Sequence, residues 1–92
     1  MTVTVHLSGH LKAHTGGQLE VRVPGEFTTV GEVLDSLWQQ HRALRERVLN
    51  EQGEIRQHVN VFAGEEDVKR LNGLATKLKS HEIHIFNAVS GG

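Results

Sequence analysis

The sequence predicts an α+β fold in which a mixed sheet packs on one main helix. Three observations lead there. Apolar residues alternate with polar ones near both ends of the chain, the period of two that marks strands with one buried face. Between them the apolar period lengthens to that of a helix. The chain has 92 residues, enough for one domain, and one helix laid on a sheet is the economical two-layer arrangement at that size.

Val3, Val5 and Leu7 alternate with Thr2, Thr4, His6 and Ser8, which gives the first strand. A connection ending in Thr15-Gly16-Gly17 follows. Leu19, Val21 and Val23 then alternate with Glu20 and Arg22, and Pro24-Gly25 stops this second strand. The two are expected to form a hairpin across a long loop. Val30, Val33, Leu34, Leu37, Trp38 and His41 fall on one helical face. Thr29 can cap that helix, and Glu32 stands three residues later, as a capping box requires. Trp38 and Leu37 are read as core. Leu44, Val48 and Leu49 suggest a further turn or short helix.

Val59 to Phe62 reads as a third strand and Gly64 to Asp67 as an exposed acidic turn. Val68 and Leu71 are expected to anchor the next, irregular segment, and Leu74 and Leu78 to bracket a loop. His81 to Phe86 forms the last strand, with Ile83 and Ile85 on one face. Residues 1–86 make the domain in this reading, and residues 87–92 a flexible C-terminal Gly-Gly tail with few anchoring side chains. Fully extended, such a tail would reach on the order of 20 Å.

Composition excludes several function classes. A domain of this size buries only about 60–65% of the surface its unfolded chain exposes, which disfavours a deep internal active site. The formal net charge is −1, and Glu46 and Glu51 interrupt the loose cluster of Arg42, Arg45 and Arg47. Nucleic acid is therefore not an expected partner. The absence of cysteine removes disulfides, thiolate metal sites and a thiol nucleophile. The N-terminus lacks the basic start and apolar core of a signal peptide, and no apolar run approaches the roughly 20 residues of a membrane span. A cytoplasmic protein with no membrane partner is the expectation. No Ser/His/Asp set, phosphate loop or paired-carboxylate motif stands out, so the chain is not read as an enzyme.

The chemistry is expected at the tail, Ala88-Val89-Ser90-Gly91-Gly92. Glycine adopts backbone angles closed to other residues and keeps the strand narrow, so a partner's tight channel can admit it. The terminal carboxylate of Gly92 would then reach a buried active site. Its charge makes it a weak electrophile. Adenylation with ATP would supply a leaving group, and a persulfide or sulfide would convert the acyl adenylate to a thiocarboxylate.

The stretches Val59-Asn60-Val61-Phe62, Glu66-Asp67-Val68, Gly73-Leu74-Ala75-Thr76 and Ala88-Val89-Ser90-Gly91-Gly92 resemble the MoaD/ThiS-type ubiquitin-like sulfur carriers. His14-Thr15-Gly16-Gly17-Gln18 is similar to the CysO-like branch of that family. The resemblance covers almost the whole chain and implies a β-grasp fold. It implies activation by a MoeB/ThiF-like adenylating enzyme that uses ATP, no bound cofactor, a sulfurtransferase or sulfide source, and thiocarboxylation at Gly92. In the CysO-like branch a PLP-dependent cysteine synthase would take the sulfur, and a zinc metalloprotease would release cysteine. The alternatives are the non-catalytic small subunit of molybdopterin synthase, with the large subunit as partner, and a ubiquitin-like modifier forming isopeptide bonds through Gly92. Lys79-Ser80-His81-Glu82, Asn87 and Ser90 depart from the pattern of many relatives, the last two beside the tail.

Two further features bear on function. Phe62 is out of phase with Val59 and Val61, and Phe86 with Ile83 and Ile85, which suggests an outer-face patch for docking the activating enzyme. The competing assignment is core or tail-root packing. Seven histidines raise the question of a metal. His6, His10 and His14 are spaced by four, yet that stretch reads as strand and loop, where the spacing builds no compact site. His81 and His84 are read as lying on opposite sides of the last strand. The expectation is solvated histidines and no metal site.

Overall fold

Alternation turns one face of a strand inward, and the longer strands of the fold are built on that rule. In β1 (Thr2–Leu7) the residues Val3, Val5 and Leu7 are buried. In β2 (Glu20–Pro24) they are Val21 and Val23. The computed structural model, which describes residues 1–87, shows these two strands antiparallel, with Val3 opposite Val23 and Val5 opposite Val21. The expected hairpin is present. Its connection is not a plain loop, because Gly9–His14 winds into a 3₁₀ helix that buries Leu11. The buried Thr15 then ties the turn together, its hydroxyl within hydrogen-bond distance of the Lys12 carbonyl at 3.1 Å and the Gln18 carbonyl at 2.6 Å. Leu19, expected on the inner face, stands outside β2 and is 48% exposed. It lies where the ladder ends, its carbonyl accepting the last bond from the Leu7 N–H.

α1 (Val30–Gln40) covers the inner face with Val30, Val33, Leu34, Leu37 and Trp38, all buried. The capping box is complete: the Glu32 N–H donates to Thr29 Oγ1 and the Thr29 N–H to Glu32 Oε1, both at 3.2 Å. Reciprocal bonds of this kind satisfy N–H groups that a helix start otherwise leaves open. α2 (Arg42–Val48) follows at once and buries Leu44 and Val48.

β3 (Val59–Ala63) buries Val59, Val61 and Ala63. The acidic segment after it is more than a turn. Ala63 pairs with Glu66 across Gly64-Glu65, so β4 (Glu66–Asp67) adds a short fifth strand at the sheet edge. Gly64 has φ +62° and no non-glycine residue among the described residues has positive φ, the combination that a type II′ turn demands. Val68 anchors the next segment as expected, whereas Leu71 is 46% exposed. Leu74 and Leu78 pack on the core. Between them the chain laces to the start of α1, where the Val30 N–H donates to the Thr76 carbonyl at 3.0 Å and the Leu78 N–H to the Thr28 carbonyl at 2.8 Å.

β5 (Glu82–Asn87) buries Ile83 and Ile85 and completes a mixed sheet in the order β2-β1-β5-β3-β4. It lies parallel to β1 and antiparallel to β3. The strand includes Asn87, which pairs with Val59, so it runs one residue past the boundary at Phe86 that alternation suggests. The expected tail residues Ala88, Val89, Ser90, Gly91 and Gly92 lie outside the described residues. No helix among the described residues is long and apolar enough to cross a membrane.

Candidate functional site

With the inner face committed to the core, the strand residues of opposite phase form an outer face. Phe62 and Phe86 are both there. Phe62 is half-buried in β3, and Phe86 in β5 is 37% exposed. Their ring centroids are 5.6 Å apart with planes inclined at 33°, within the range where aromatic pairs attract. The register explains the contact: Phe62 faces His84 and Asn60 faces Phe86, so the two rings sit on a diagonal between neighbouring strands. The two rings lie on the outer face and not in the core.

This pair lies at the root of the residues expected to carry the chemistry. Phe86 is one residue before the end of β5, and β5 is the central strand, bonded on both sides. Gly92 and the tail contacts expected at residues 88–91 follow it in sequence and lie outside the described residues. Two buried polar atoms, Ser8 Oγ just beyond β1 and Asn87 Oδ1 at the end of β5, have no hydrogen-bond partner among the described residues. The Ser8 N–H bonds the Ile85 carbonyl at 3.0 Å, which carries the β1–β5 pairing one residue past β1.

The same face brings together side chains that spacing along the chain does not. His6 of β1 is the register partner of His84 of β5, and their rings stack with centroids 4.5 Å apart and planes 12° from parallel. Glu82 Oε1 is 2.7 Å from His6 Nε2. Glu20 of β2, the register partner of His6 on its other flank, places Oε1 4.0 Å from Nδ1. His10 and His14 belong to the 3₁₀ helix instead, and His81 precedes β5. Alternation alone puts His6 and His84 on the outer face. Their adjacency needed the parallel pairing of the first and last strands, which an amphipathic pattern does not reveal.

Depressions elsewhere are open and shallow. One of about 430 Å³ is lined by residues 53–55 and 72–75 together with Lys69. Its lining gathers no nucleophile with a base.

Comparison with known proteins agrees with this architecture. Residues 5–92 match the model of the ThiS family. Sulfur carrier protein CysO of Mycobacterium tuberculosis is 35% identical over 95 residues, covering 100% of both chains. Small archaeal modifier protein 1 of Haloferax volcanii is 38% identical over 81 residues, which span 87% of this chain and 90% of the other. Among solved structures, a chain of the BexX/CysO complex of Amycolatopsis orientalis superposes with a TM-score of 0.84 at 32% identity, covering 98% of this chain and 99% of that one. The chain has the β-grasp fold and belongs to the ThiS family of ubiquitin-like sulfur carriers and modifiers.

Proposed function

We propose that this protein is a sulfur carrier whose Gly92 carboxylate is adenylated and converted to a thiocarboxylate, with the sulfur passed on in cysteine biosynthesis. The observation that carries the reading is the 35% identity to a protein named as sulfur carrier CysO, which spans both chains in full and so includes Gly91-Gly92. In the activating step a Gly92 carboxylate oxygen attacks the α-phosphorus of ATP and pyrophosphate leaves. Sulfide then attacks the acyl carbon, AMP leaves with the C–O bond pair, and the sulfur remains as thiocarboxylate. Where an enzyme-bound persulfide attacks instead, a second thiol cleaves the resulting acyl disulfide. All of this chemistry is the partner's. The chain is a cosubstrate that contributes the carbon, the narrow Gly-Gly approach and a folded body to hold.

In this reading the body docks through the Phe62–Phe86 patch, which lies at the root of the tail on the outer face. A MoeB/ThiF-like adenylating enzyme is the expected first partner and a PLP-dependent cysteine synthase the acceptor. The structural similarity to a chain of a CysO complex supports recognition of the folded domain by a partner protein. A second reading has its own support in the similarity to small archaeal modifier protein 1. There the same adenylated Gly92 is attacked by a lysine amine, giving an isopeptide bond.

The test is the intact mass of the protein after incubation with ATP, a MoeB/ThiF-like enzyme and sulfide. A gain equal to one oxygen exchanged for one sulfur, localised to Gly92 and lost on deleting it, is the expected outcome. An adenylate that forms without sulfur uptake, together with lysine-linked conjugates in cell extract, would establish the modifier instead.

A further inference from the structure

The stacked histidines of the outer face form a donor set that the carrier chemistry does not use. One nitrogen each from His6 and His84 and one carboxylate oxygen from Glu82 all lie within 4.8 Å of one another. These residues come from two adjacent central strands, β1 and β5, whose register is fixed by backbone bonds on both sides. We propose that His6, Glu82 and His84 form a binding site for a late first-row divalent metal ion, zinc being the best fit, with Glu20 orienting His6.

Four features of the cluster support the assignment. Imidazole with carboxylate is the donor chemistry of zinc, nickel and copper rather than of magnesium or calcium. Zinc bonds to such donors run about 2.0–2.2 Å, which puts tetrahedral ligand atoms roughly 3.3 Å apart. The present separations, all within 4.8 Å, exceed that value by at most about 1.5 Å. His6 is polarised from both ends: Nε2 points to Glu82 at 2.7 Å, and Nδ1 faces Glu20 at 4.0 Å. With Nε2 on the ion, the Nδ1–H donates to Glu20, the carboxylate–histidine–metal relay that fixes tautomer and ring orientation in metal sites. Finally, His6 and Glu82 keep 31% and 59% of their side-chain surface in solvent, so an ion can enter and a fourth position stays open.

Loading has a structural signature. A metal lies in the plane of each imidazole that binds it, and stacked planes only 12° apart do not converge on a common nearby point. Binding therefore turns at least one ring out of the stack. His84 faces Phe62 across β5 and β3, so the proposed site adjoins the aromatic patch, and a donor from water or a docked protein can complete the coordination.

The test is a titration of the full chain, first stripped with chelator, with zinc ion, followed by calorimetry and by imidazole ¹⁵N NMR. We expect one ion per chain, with His6 and His84 resonances shifting while those of His10, His14, His41, His58 and His81 stay in place. Magnesium should produce neither effect. His84→Ala and Glu82→Gln should each weaken binding at least tenfold. Glu20→Gln should weaken it about tenfold without changing the stoichiometry, the usual cost of losing an outer-shell partner. Backbone amide spectra report that each variant is folded. No shift at His6 and His84 on adding zinc, or binding that survives a folded His6→Ala/His84→Ala double variant, would overturn the site.

Discussion

Gly31 shows how one residue can oppose its local propensity for the sake of the fold. In the first turn of α1 alanine is the better helix former, by about 1 kcal/mol. A Cβ at this position, however, would meet the Leu74 carbonyl oxygen at 2.9 Å and Leu74 Cβ at 3.2 Å, where the lacing segment crosses the helix. The obstacle is backbone, held by the Val30–Thr76 and Leu78–Thr28 bonds, so it cannot swing aside. Gly31→Ala is therefore expected to destabilise the protein by about 1–3 kcal/mol, the range for forced overpacking, and urea denaturation measures it. An unchanged or raised midpoint would show that the segment yields. Phe86 is the contrasting residue. Being 37% exposed, it contributes less to folding than a core aromatic. Phe86→Ala should leave the thermal transition within a few degrees of the original and slow adenylation by the partner enzyme, whereas unchanged adenylation kinetics would remove the docking role. At this scale the sequence was partly legible. Phase alone placed Phe62 and Phe86 outside. It misplaced Leu19, which stands just outside β2, and Leu71, read as an anchor of an irregular segment with no period to place it, is exposed as well.

Among the elements, those with a sustained period were readable and those of a single turn were not. α1 announced itself through five buried apolar positions on one stripe and through Thr29 and Glu32 at capping spacing. The cap makes a sharp prediction. Thr29→Ala removes the acceptor of the Glu32 N–H and should cost about 1 kcal/mol. Glu32→Gln, which can still accept from the Thr29 N–H, should cost less. Equal losses in the two variants would mean that the Glu32 charge, rather than cap geometry, governs this end of the helix. By contrast the 3₁₀ helix at Gly9–His14 buries only Leu11, too little apolar recurrence to read as a period. β4 is two residues long and acidic, so nothing about its hydrophobicity marks a strand. Its signal was the Gly64-Glu65 pair, a loop with glycine at the position where a II′ turn needs positive φ, sitting directly after an apolar strand. The His6, Glu20, Glu82 and His84 cluster fell between these cases: each residue's face was legible, but the neighbours were set by a strand pairing that joins the two ends of the chain.

For the molecule as a whole, the sheet order separates stability from chemistry. The core of the described residues runs from Val3 to Ile85 and closes around α1. β5 is at once the central strand and the segment that precedes Gly92 in sequence, so in the proposed function the body a partner would grip and the carbon it would modify are only a few residues apart. Two perturbations should then have opposite signatures. Leu37→Ala, which empties a fully buried site under the helix, should cost about 2–5 kcal/mol. The fraction that remains folded should still accept sulfur at Gly92, since the variant leaves the docking face and the tail intact. Removing Gly91 and Gly92 should leave the denaturation midpoint unchanged and abolish the sulfur-dependent mass gain. Measuring both quantities on both variants separates a tail that reacts from a tail that packs. If the truncated chain lost stability as well as mass gain, the last glycines would be part of the fold and the loss of activity would say nothing about chemistry. If it kept the mass gain, sulfur would be entering elsewhere in the chain, and the assignment of Gly92 would fall while the fold and family stood.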